Sequence, residues 1–310
     1  MWHRLLLVRE VLSGLAVAHA TTVCVFLFWY NTCNASSSLV TYHENIRLML
    51  RYLRLFALFA HNSLQIALEY RVNFVTALFQ STLWLAWGVL GTLVFFQFSG
   101  TLGGWTLPQA LPVVGLFRIF EGLIDGIMRP NITRIVEHIQ KGTLDFVLVK
   151  PVDSQFMASL RQINLLVLPD LLVGFGLIGY GLWMGRMWPT PLQLLAFAFL
   201  LACGIVMAYA IWMLLVTTAF WLVQVENVTE LLTAIYETGR FPVTVYSPTI
   251  RLVLTFIIPI AFLTTFPAAA LIGLLDPLYL ALAPVVAGVL LLASRLFWRV
   301  GLRSYTSASS

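Results

Sequence analysis

The sequence predicts an all-α integral membrane protein, and three observations carry that prediction. Of its 310 residues, 60% are hydrophobic and only 10% are charged, whereas a soluble domain carries about 25% charged residues. The mean hydropathy is +0.91. The apolar runs are long and continuous, which predicts helices, because backbone polar groups inside a bilayer are paired within their own segment. The formal net charge of +5 therefore indicates membrane topology rather than nucleic-acid binding.

Six apolar runs predict a six-helix transmembrane bundle after residue 72. Each approaches or exceeds the ~20 residues that cross the hydrocarbon layer, and the fourth is long enough to be tilted or to protrude. Prolines divide the last two runs, either as kinks in ordinary helices or as markers of a re-entrant turn on the outer side. The predicted spans are 73–97, 107–128, 162–184, 191–223, 252–273 and 278–298.

The basic residues predict an orientation in which the loop 129–161 and both ends of the six-span unit are cytoplasmic. Only Arg186 then lies on the opposite side, and Arg118 lies within a span. The linker 224–251 is predicted to be a second cytoplasmic amphipathic helix. The cytoplasmic set comprises Arg47, Arg51, Arg54, Arg71, Arg129, Arg134, Lys141, Lys150, Arg161, Arg240, Arg251, Arg295, Arg299 and Arg303.

The first part of the chain divides into two pieces. Residues 1–48 contain an apolar run at 11–30, which is a further span, a signal-like segment, or sequence ahead of a true start near Met49. Residues 49–71 mix apolar and charged residues and predict an amphipathic helix in the membrane interface. A poor seventh span is the alternative for 49–71. Residues 49–310 are expected to form the transmembrane domain.

A short amphipathic helix is predicted at 131–141, with Pro130 separating it from the second span. Asn131 is a suitable N-cap and Gly142 a suitable stop. Ile132, Ile135, Val136 and Ile139 recur with helical spacing and give the helix an apolar face. Such a helix docks into a groove on a soluble partner or lies flat on the lipid surface, and the spacing alone does not separate these alternatives.

Charged residues inside the second span are candidates for function. Arg118, Glu121 and Asp125 are spaced by three and four, so they are expected to share one helical face, with Arg118 and Glu121 able to pair. A charge in hydrocarbon costs at least ~2.5 kcal/mol, so these residues should face protein or water. The face lines a translocation route or dimer interface, or else forms a structural ion pair. Asp170 in the third span is a further candidate for the same translocation route or dimer interface.

Three stretches resemble ABC-2-type transporter permeases, in particular the branch long called an uncharacterised ABC-transport permease. The stretch K-G-T-L-D-F-V-L-V-K-P-V at 141–152 resembles the signature of these permeases. R-Y-L-R-L-F at 51–56 with L-E-Y-R at 68–71 resembles the N-terminal interfacial helix of that branch. The third resemblance, to the entry into the fifth span, comprises G-R-F-P-V-T-V-Y at 239–246, I-P-I-A-F at 258–262 and F-P-A at 266–268.

The resemblance implies the membrane subunit of an ABC exporter in the plasma (inner) membrane. Its partners would be separate ATP-binding subunits, a second permease chain and membrane lipids, and no nucleic acid. ATP and magnesium would be bound by the partner, with no cofactor or metal in this chain. Residues 49–71 would be the elbow helix and 131–141 the coupling helix. The coupling residues would be Ile132, Ile135, Val136, Glu137, His138, Ile139 and Lys141.

Missing motifs narrow the function further. The sequence has no G-x-x-x-x-G-K-[ST] motif, so a P-loop ATPase would have to be a partner. It also lacks the E-A-A-x-x-x-G loop of binding-protein-dependent importers, which favours export. A secondary transporter driven by an ion gradient is the alternative, although no clear internal repeat is present. A membrane enzyme is disfavoured, because the histidines do not cluster with carboxylates and no G-x-S-x-G motif occurs.

Overall fold

A computed structural model describes residues 54–63, 65, 71–98, 100–150, 152–222 and 225–305, which form helices and no strand. The predicted all-α class is confirmed for this part of the chain. The helices are α1 (Arg71–Phe98), α2 (Leu107–Leu123), α3 (Arg129–Gln140), α4 (Asp145–Leu148), α5 (Ser154–Ser159), α6 (Leu168–Met184), α7 (Pro191–Thr217), α8 (Val225–Tyr236), α9 (Pro248–Leu252), α10 (Ile260–Leu263), α11 (Thr265–Ile272) and α12 (Pro277–Ser304).

Four helices in the described residues are long and apolar enough to cross a bilayer. They correspond to predicted spans one, three, four and six. Predicted span two contains the 17-residue helix α2 and a following π-helix, and predicted span five is divided into shorter pieces. The four membrane-crossing candidates are Val75–Phe98, Leu165–Met184, Pro191–Phe220 and Pro277–Ser304.

The bundle has two ends, which we name by the loops found there. End A holds residues 100–107, 184–191 and 273–277. A Cβ atom on Gly185 would lie 3.1 Å from Cβ of Pro108, and one on Gly273 would lie 2.7 Å from Nε2 of Gln193. End B holds residues 141–150, 152–164, 217–222 and 298–305.

Close contacts of α12 organise end B. The indole Nε1 of Trp298 donates to Oγ of Ser154 at 3.2 Å, and the backbone N–H of Leu144 donates to the hydroxyl of Tyr305 at 3.1 Å. Arg295 forms a salt bridge with Asp153 at 3.0 Å. These contacts attach the loop that follows α3 to the last helix of the bundle.

The described residues 225–251 of the predicted linker 224–251 do not stay at end B, so the predicted placement of the linker beside the loop 129–161 is wrong. The hydroxyl of Tyr236 donates to the carbonyl of Phe117 at 2.8 Å, halfway along the bundle. The rings of Phe95 and Phe241 meet edge to face at 5.4 Å. A Cβ atom on Gly103 would lie 2.8 Å from Oγ1 of Thr244. Residues 225–245 therefore run from end B to end A.

As a result, two arginines lie elsewhere than predicted. The guanidinium of Arg240 lies 5.1 Å from the centre of the Phe117 ring, inside the bundle. Arg251 donates to the carbonyl of Thr244 at 2.8 Å, at end A. Both were predicted to share one side of the membrane with the loop 129–161, and that prediction is wrong for both.

The predicted fifth span, 252–273, is a hairpin rather than one helix. A π-helix at Val253–Ile257 is followed by a break at Pro259, which has no N–H to continue a helix. The chain then packs on α7, where a Cβ atom on Gly204 would lie 3.2 Å from the carbonyl of Phe262. Gly273 ends α11 with φ +75°. The segment thus enters at end A, reaches the middle of α7 and returns to end A.

Helices α2 and α6 pack most closely, because glycines remove side chains from their contact. A Cβ atom on Gly115 would lie 2.5 Å from the carbonyl oxygen of Gly174, and one on Gly181 would lie 2.9 Å from the carbonyl of Pro108. Small residues allow helix backbones to approach in this way inside a membrane. The α2–α6 pair is therefore a closely packed helix pair of the described bundle.

The start of the chain is described only in part. Residues 54–63 are helical, within the stretch 49–71 that was predicted to be an interfacial elbow. Residues 49–53, 64 and 66–70 lie outside the described residues, and so does the whole extension 1–48 with its apolar run at 11–30.

Candidate functional site

A network of charged side chains lies at mid-height of the bundle. Arg118 donates through Nη1 to Oε2 of Glu121 at 2.5 Å and through Nη2 to Oδ1 of Asp170 on α6. Oγ of Ser81 on α1 donates to the same oxygen of Asp170 at 2.5 Å. Arg118 follows Leu107 by about three helical turns, or ~17 Å at ~1.5 Å per residue, which is about half of a ~30 Å hydrocarbon layer.

The predicted pairing of Arg118 with Glu121 is confirmed, and Asp170 joins them from another helix. Asp125 does not. It pairs with Arg129 at 2.8 Å, and both side chains are partly exposed. Asp125 lies in the π-helix Ile124–Met128, which interrupts the α-helical repeat on which the prediction of one shared face depended.

A cleft of about 220 Å³ opens beside the charged network. Its walls come from α1, α2 and the 3₁₀ turn Glu237–Arg240 that follows α8. Glu237 and Arg240 form a second salt bridge there at 2.7 Å. The cleft therefore carries two ion pairs and one exposed indole. Its lining residues are Trp84, Val114, Phe117, Arg118, Glu121, Glu237 and Arg240.

Sequence reasoning missed Glu237 and Arg240, because the linker that carries them was placed in solvent. One signal was available. Gly239 begins the stretch G-R-F-P-V-T-V-Y, and the structure shows why a glycine stands there. A Cβ atom on Gly239 would lie 2.6 Å from Cγ2 of Ile260, so the turn is packed against the buried hairpin rather than exposed.

Helices α2 and α3 form one helical run joined by the π-helix, so the prediction that Pro130 separates them is wrong. Pro130 cannot donate to the carbonyl of Gly126, four residues earlier. The backbone N–H of Asn164 donates to that carbonyl instead, at 2.7 Å. The chain entering α6 thereby fills the position that the proline leaves open.

Asn131 is not the predicted N-cap, because α3 already begins at Arg129. Its side chain instead binds the backbone of Gln162. Its Nδ2 donates to the carbonyl of Gln162 at 2.7 Å, and its Oδ1 accepts from the N–H of Gln162 at 2.8 Å. The side chain is buried. Together with Asn164, it fixes the connection 162–164 to the α2–α3 run.

The apolar face of α3 packs on the chain's own bundle. Ile132 and Ile135 are buried in the core, and Val136 and Ile139 are partly buried against it. The predicted stop is confirmed, since Gly142 has φ +65° and the N–H of Thr143 donates to the carbonyl of His138 at 2.9 Å.

The exposed face of α3 is polar. Arg134 and Glu137 point outward, and Lys141 forms a salt bridge with Glu137 at 2.6 Å. The hydrogen bond from Lys141 lowers the pKa of the Glu137 carboxyl. Partial burial, followed by the charge of Arg134, lowers the pKa of His138.

Two large apolar side chains stand beside this polar face. Phe146 on α4 is 75% exposed, and Val149 just after α4 is also exposed. We use the name "α3–α4 surface" for Arg134, Glu137, Lys141, Phe146 and Val149. Phe146 and Val149 belong to the stretch 141–152 that carries the family resemblance, although they were not among the predicted site residues.

Comparison with known protein families decides the identity of the chain. The model of a family described as ABC-2 family transporter protein matches residues 82–309. The chain belongs to the ABC-2 transporter family. Neither a curated protein nor a solved structure matches it. The resemblance noted in the sequence is confirmed over the matched residues, which begin after the predicted elbow helix.

Family membership gives the chain a general role. It is a multi-pass integral membrane protein and a permease subunit of an ABC transporter. ABC-2 permeases are transport subunits and are generally non-catalytic. Among the described residues, no group of three His, Cys, Asp or Glu side chains is placed to hold a metal ion. The charged side chains of the network and the α3–α4 surface both lie within the residues that match the family.

Proposed function

We propose that this ABC-2 permease is the membrane subunit of an exporter and couples ATP hydrolysis by a separate subunit to substrate movement. The observation that carries the proposal is the continuous α2–α3 run. It links the charged network at mid-height to the α3–α4 surface at end B in one element. A movement at end B would therefore reach Arg118 through packed helix.

The proposed topology has six crossings with both ends at end B. The crossings are α1, the α2 run, α6, α7, residues 225–245 and α12, with 248–272 as a hairpin from end A. The basic residues support a cytoplasmic end B in the plasma (inner) membrane, because Arg134, Lys141, Arg161, Arg299 and Arg303 lie at that end. Arg186 and Arg251 lie at end A, which would face outward.

The proposed docking site for the ATP-binding subunit is the α3–α4 surface. Its two exposed apolar side chains are suited to be buried anchors, and its three charged side chains to form a polar rim. Ile132, Ile135, Val136 and Ile139 would act indirectly, by holding α3 to the bundle. His138 would support the helix end through its 2.9 Å contact with Thr143.

The test starts with the tagged full-length chain, purified from its native membranes in a mild detergent. An ATP-binding subunit should co-purify with it, and the purified complex should hydrolyse ATP. Phe146→Asp should reduce both by about tenfold or more, since a central anchor contributes ≥2 kcal/mol, and Lys141→Glu should reduce them less, because a charge in the rim contributes less. Removal of 131–141 is unsuitable as a test, because Ile135 and Asn131 are buried parts of the bundle.

Trp188→Asp is the matched control. The exposed fraction of the Trp188 side chain is 76%, similar to the 75% of Phe146, but Trp188 lies at the opposite end of the bundle, end A. It should leave ATP hydrolysis unchanged. If equal ATPase activity co-purifies with Phe146→Asp and with the wild type, the α3–α4 surface is not the docking site. Transport that persists in ATP-free vesicles under an imposed ion gradient would instead favour a secondary transporter.

A further inference from the structure

We infer that the mid-height cleft binds the cationic head group of an organic ammonium compound, whose apolar part extends past Trp84. This inference rests on the proposed permease role and assigns a substrate class to the same cleft. Its support comes from which charges the cleft leaves accessible, from its aromatic wall and from its size.

The two carboxylates are the most exposed charges of the cleft, ahead of Arg240 at 27%. The side chain of Glu237 is 45% exposed and that of Glu121 is 30% exposed, whereas that of Arg118 is only 11% exposed. Both Nη atoms of Arg118 are engaged by Glu121 and Asp170, and its remaining nitrogen, Nε, is buried. Arg118 is thus committed mainly to these two carboxylates and is the least exposed charge that lines the cleft.

The second guanidinium is engaged through Nη2, and 27% of its side chain is exposed. Arg240 donates to Glu237 and lies over the Phe117 ring. The five charged side chains of the region, Asp170 included, sum to one net negative charge. Glu121 also lies within electrostatic range of Glu237, and two carboxylates that face one cleft in a low-dielectric setting repel each other. A single ligand cation between them relieves that repulsion.

The remaining features fix the shape of the ligand. Trp84 projects an exposed indole from α1 into the cleft rim, and tryptophan gives the strongest cation–π contact among side chains. A volume of about 220 Å³ is below the ~300 Å³ typical of pockets that enclose a whole drug-sized ligand. The cleft therefore fits a compact ammonium head group, while the rest of the ligand lies along the apolar face of α1.

The test measures binding by calorimetry with the purified full-length chain in maltoside micelles, which contain no ammonium group. The probes are benzyltrimethylammonium and benzenesulfonate, which are similar in size and opposite in charge. The ammonium probe should bind and the sulfonate should not. Benzyltrimethylammonium has no titratable proton, so its binding separates a cation site from a carboxylate pair that merely shares a proton.

Three variants place the binding in the cleft. Glu237→Gln and Glu121→Gln should each weaken binding of the ammonium probe by roughly tenfold. Trp84→Ala should weaken it several-fold, and Trp84→Phe should restore most of that loss. Glu230→Gln is the matched control, because Glu230 is exposed on α8 outside the cleft, and it should bind as the wild type does.

Three results would overturn the inference. They are equal binding of both probes, wild-type affinity in both Glu→Gln variants, and no binding of the ammonium probe by the folded wild type. If Glu121→Gln unfolds the chain by releasing Arg118, then Glu237→Gln decides the outcome. The measurement needs neither ATP nor a partner, so its failure would leave the proposed ATPase coupling standing, and loss of that coupling would leave this result standing.

Discussion

Helices α1 and α2 follow one another in the chain but differ in charge content and in burial. From Val75 to Phe98, α1 has no charged residue, yet most of that stretch is exposed in the described structure. Helix α2 carries Arg118 and Glu121, yet twelve of its residues are buried. In a bilayer the apolar surface can face lipid at no cost, whereas charges have to be enclosed by protein.

Hydropathy and burial are therefore separate properties of these two helices. The charge-free stretch of α1 lies at the periphery of the described bundle, whereas α2, which carries two charges, is mostly buried. Arg118 is what holds the two kinds of helix together. It binds Asp170 on α6, and Asp170 in turn accepts from Ser81 on α1. Removing that arginine should therefore destabilise the contact between these helices most strongly.

Arg118→Ala should have the largest effect, a loss of about 3–5 kcal/mol in the free energy of unfolding. The reason is that Glu121 and Asp170 remain partly buried without their cation. Unfolding titrated with dodecyl sulfate in mixed micelles measures this loss. Adding Asp170→Asn to the arginine variant should recover part of it, since one unpaired charge disappears. A single variant as stable as the wild type would show that the network is not structural.

Gly115→Ala should come next, with a loss of about 1–3 kcal/mol from overpacking. The added Cβ would lie 2.5 Å from the carbonyl oxygen of Gly174, which is backbone and cannot rotate away. Gly88→Ala on α1 is the matched control, because its Cβ would meet nothing within 4 Å. The same titration should find that control unchanged or slightly more stable. Equal losses in both variants would erase the difference between the helices.

The sequence predicted what depends on local composition and spacing. Spans such as α7 and α12 are long apolar runs, the Arg118–Glu121 pair follows from a spacing of three, and Gly142 stops α3 as a positive-φ residue. Each of these features is determined by residues within one helix or one turn. The same local rules also placed most of the basic residues at end B.

The features that the sequence did not predict depend on partners far along the chain. Arg118 and Asp170 are 52 positions apart, and no spacing rule joins them. Residues 225–245 look like a solvated amphipathic helix, because Glu230, Glu237 and Arg240 are charged, and only the packing against Phe117 and Gly103 shows their course. Asn131 has the composition of an N-cap, but the π-helix before it carries the helix past that point and turns its amide to Gln162.

Phe79→Ala on α1 should have the smallest effect, within about 0.5 kcal/mol. Phe79 is 66% exposed, so its ring leaves lipid or detergent rather than a protein core when it is removed. The free energy of unfolding of the isolated chain, measured with dodecyl sulfate, gives the value. A loss above ~1 kcal/mol would mean that α1 packs against protein in the isolated chain. A loss that appears only in the assembled transporter would assign this face of α1 to a second permease chain, because only there would Phe79 be buried.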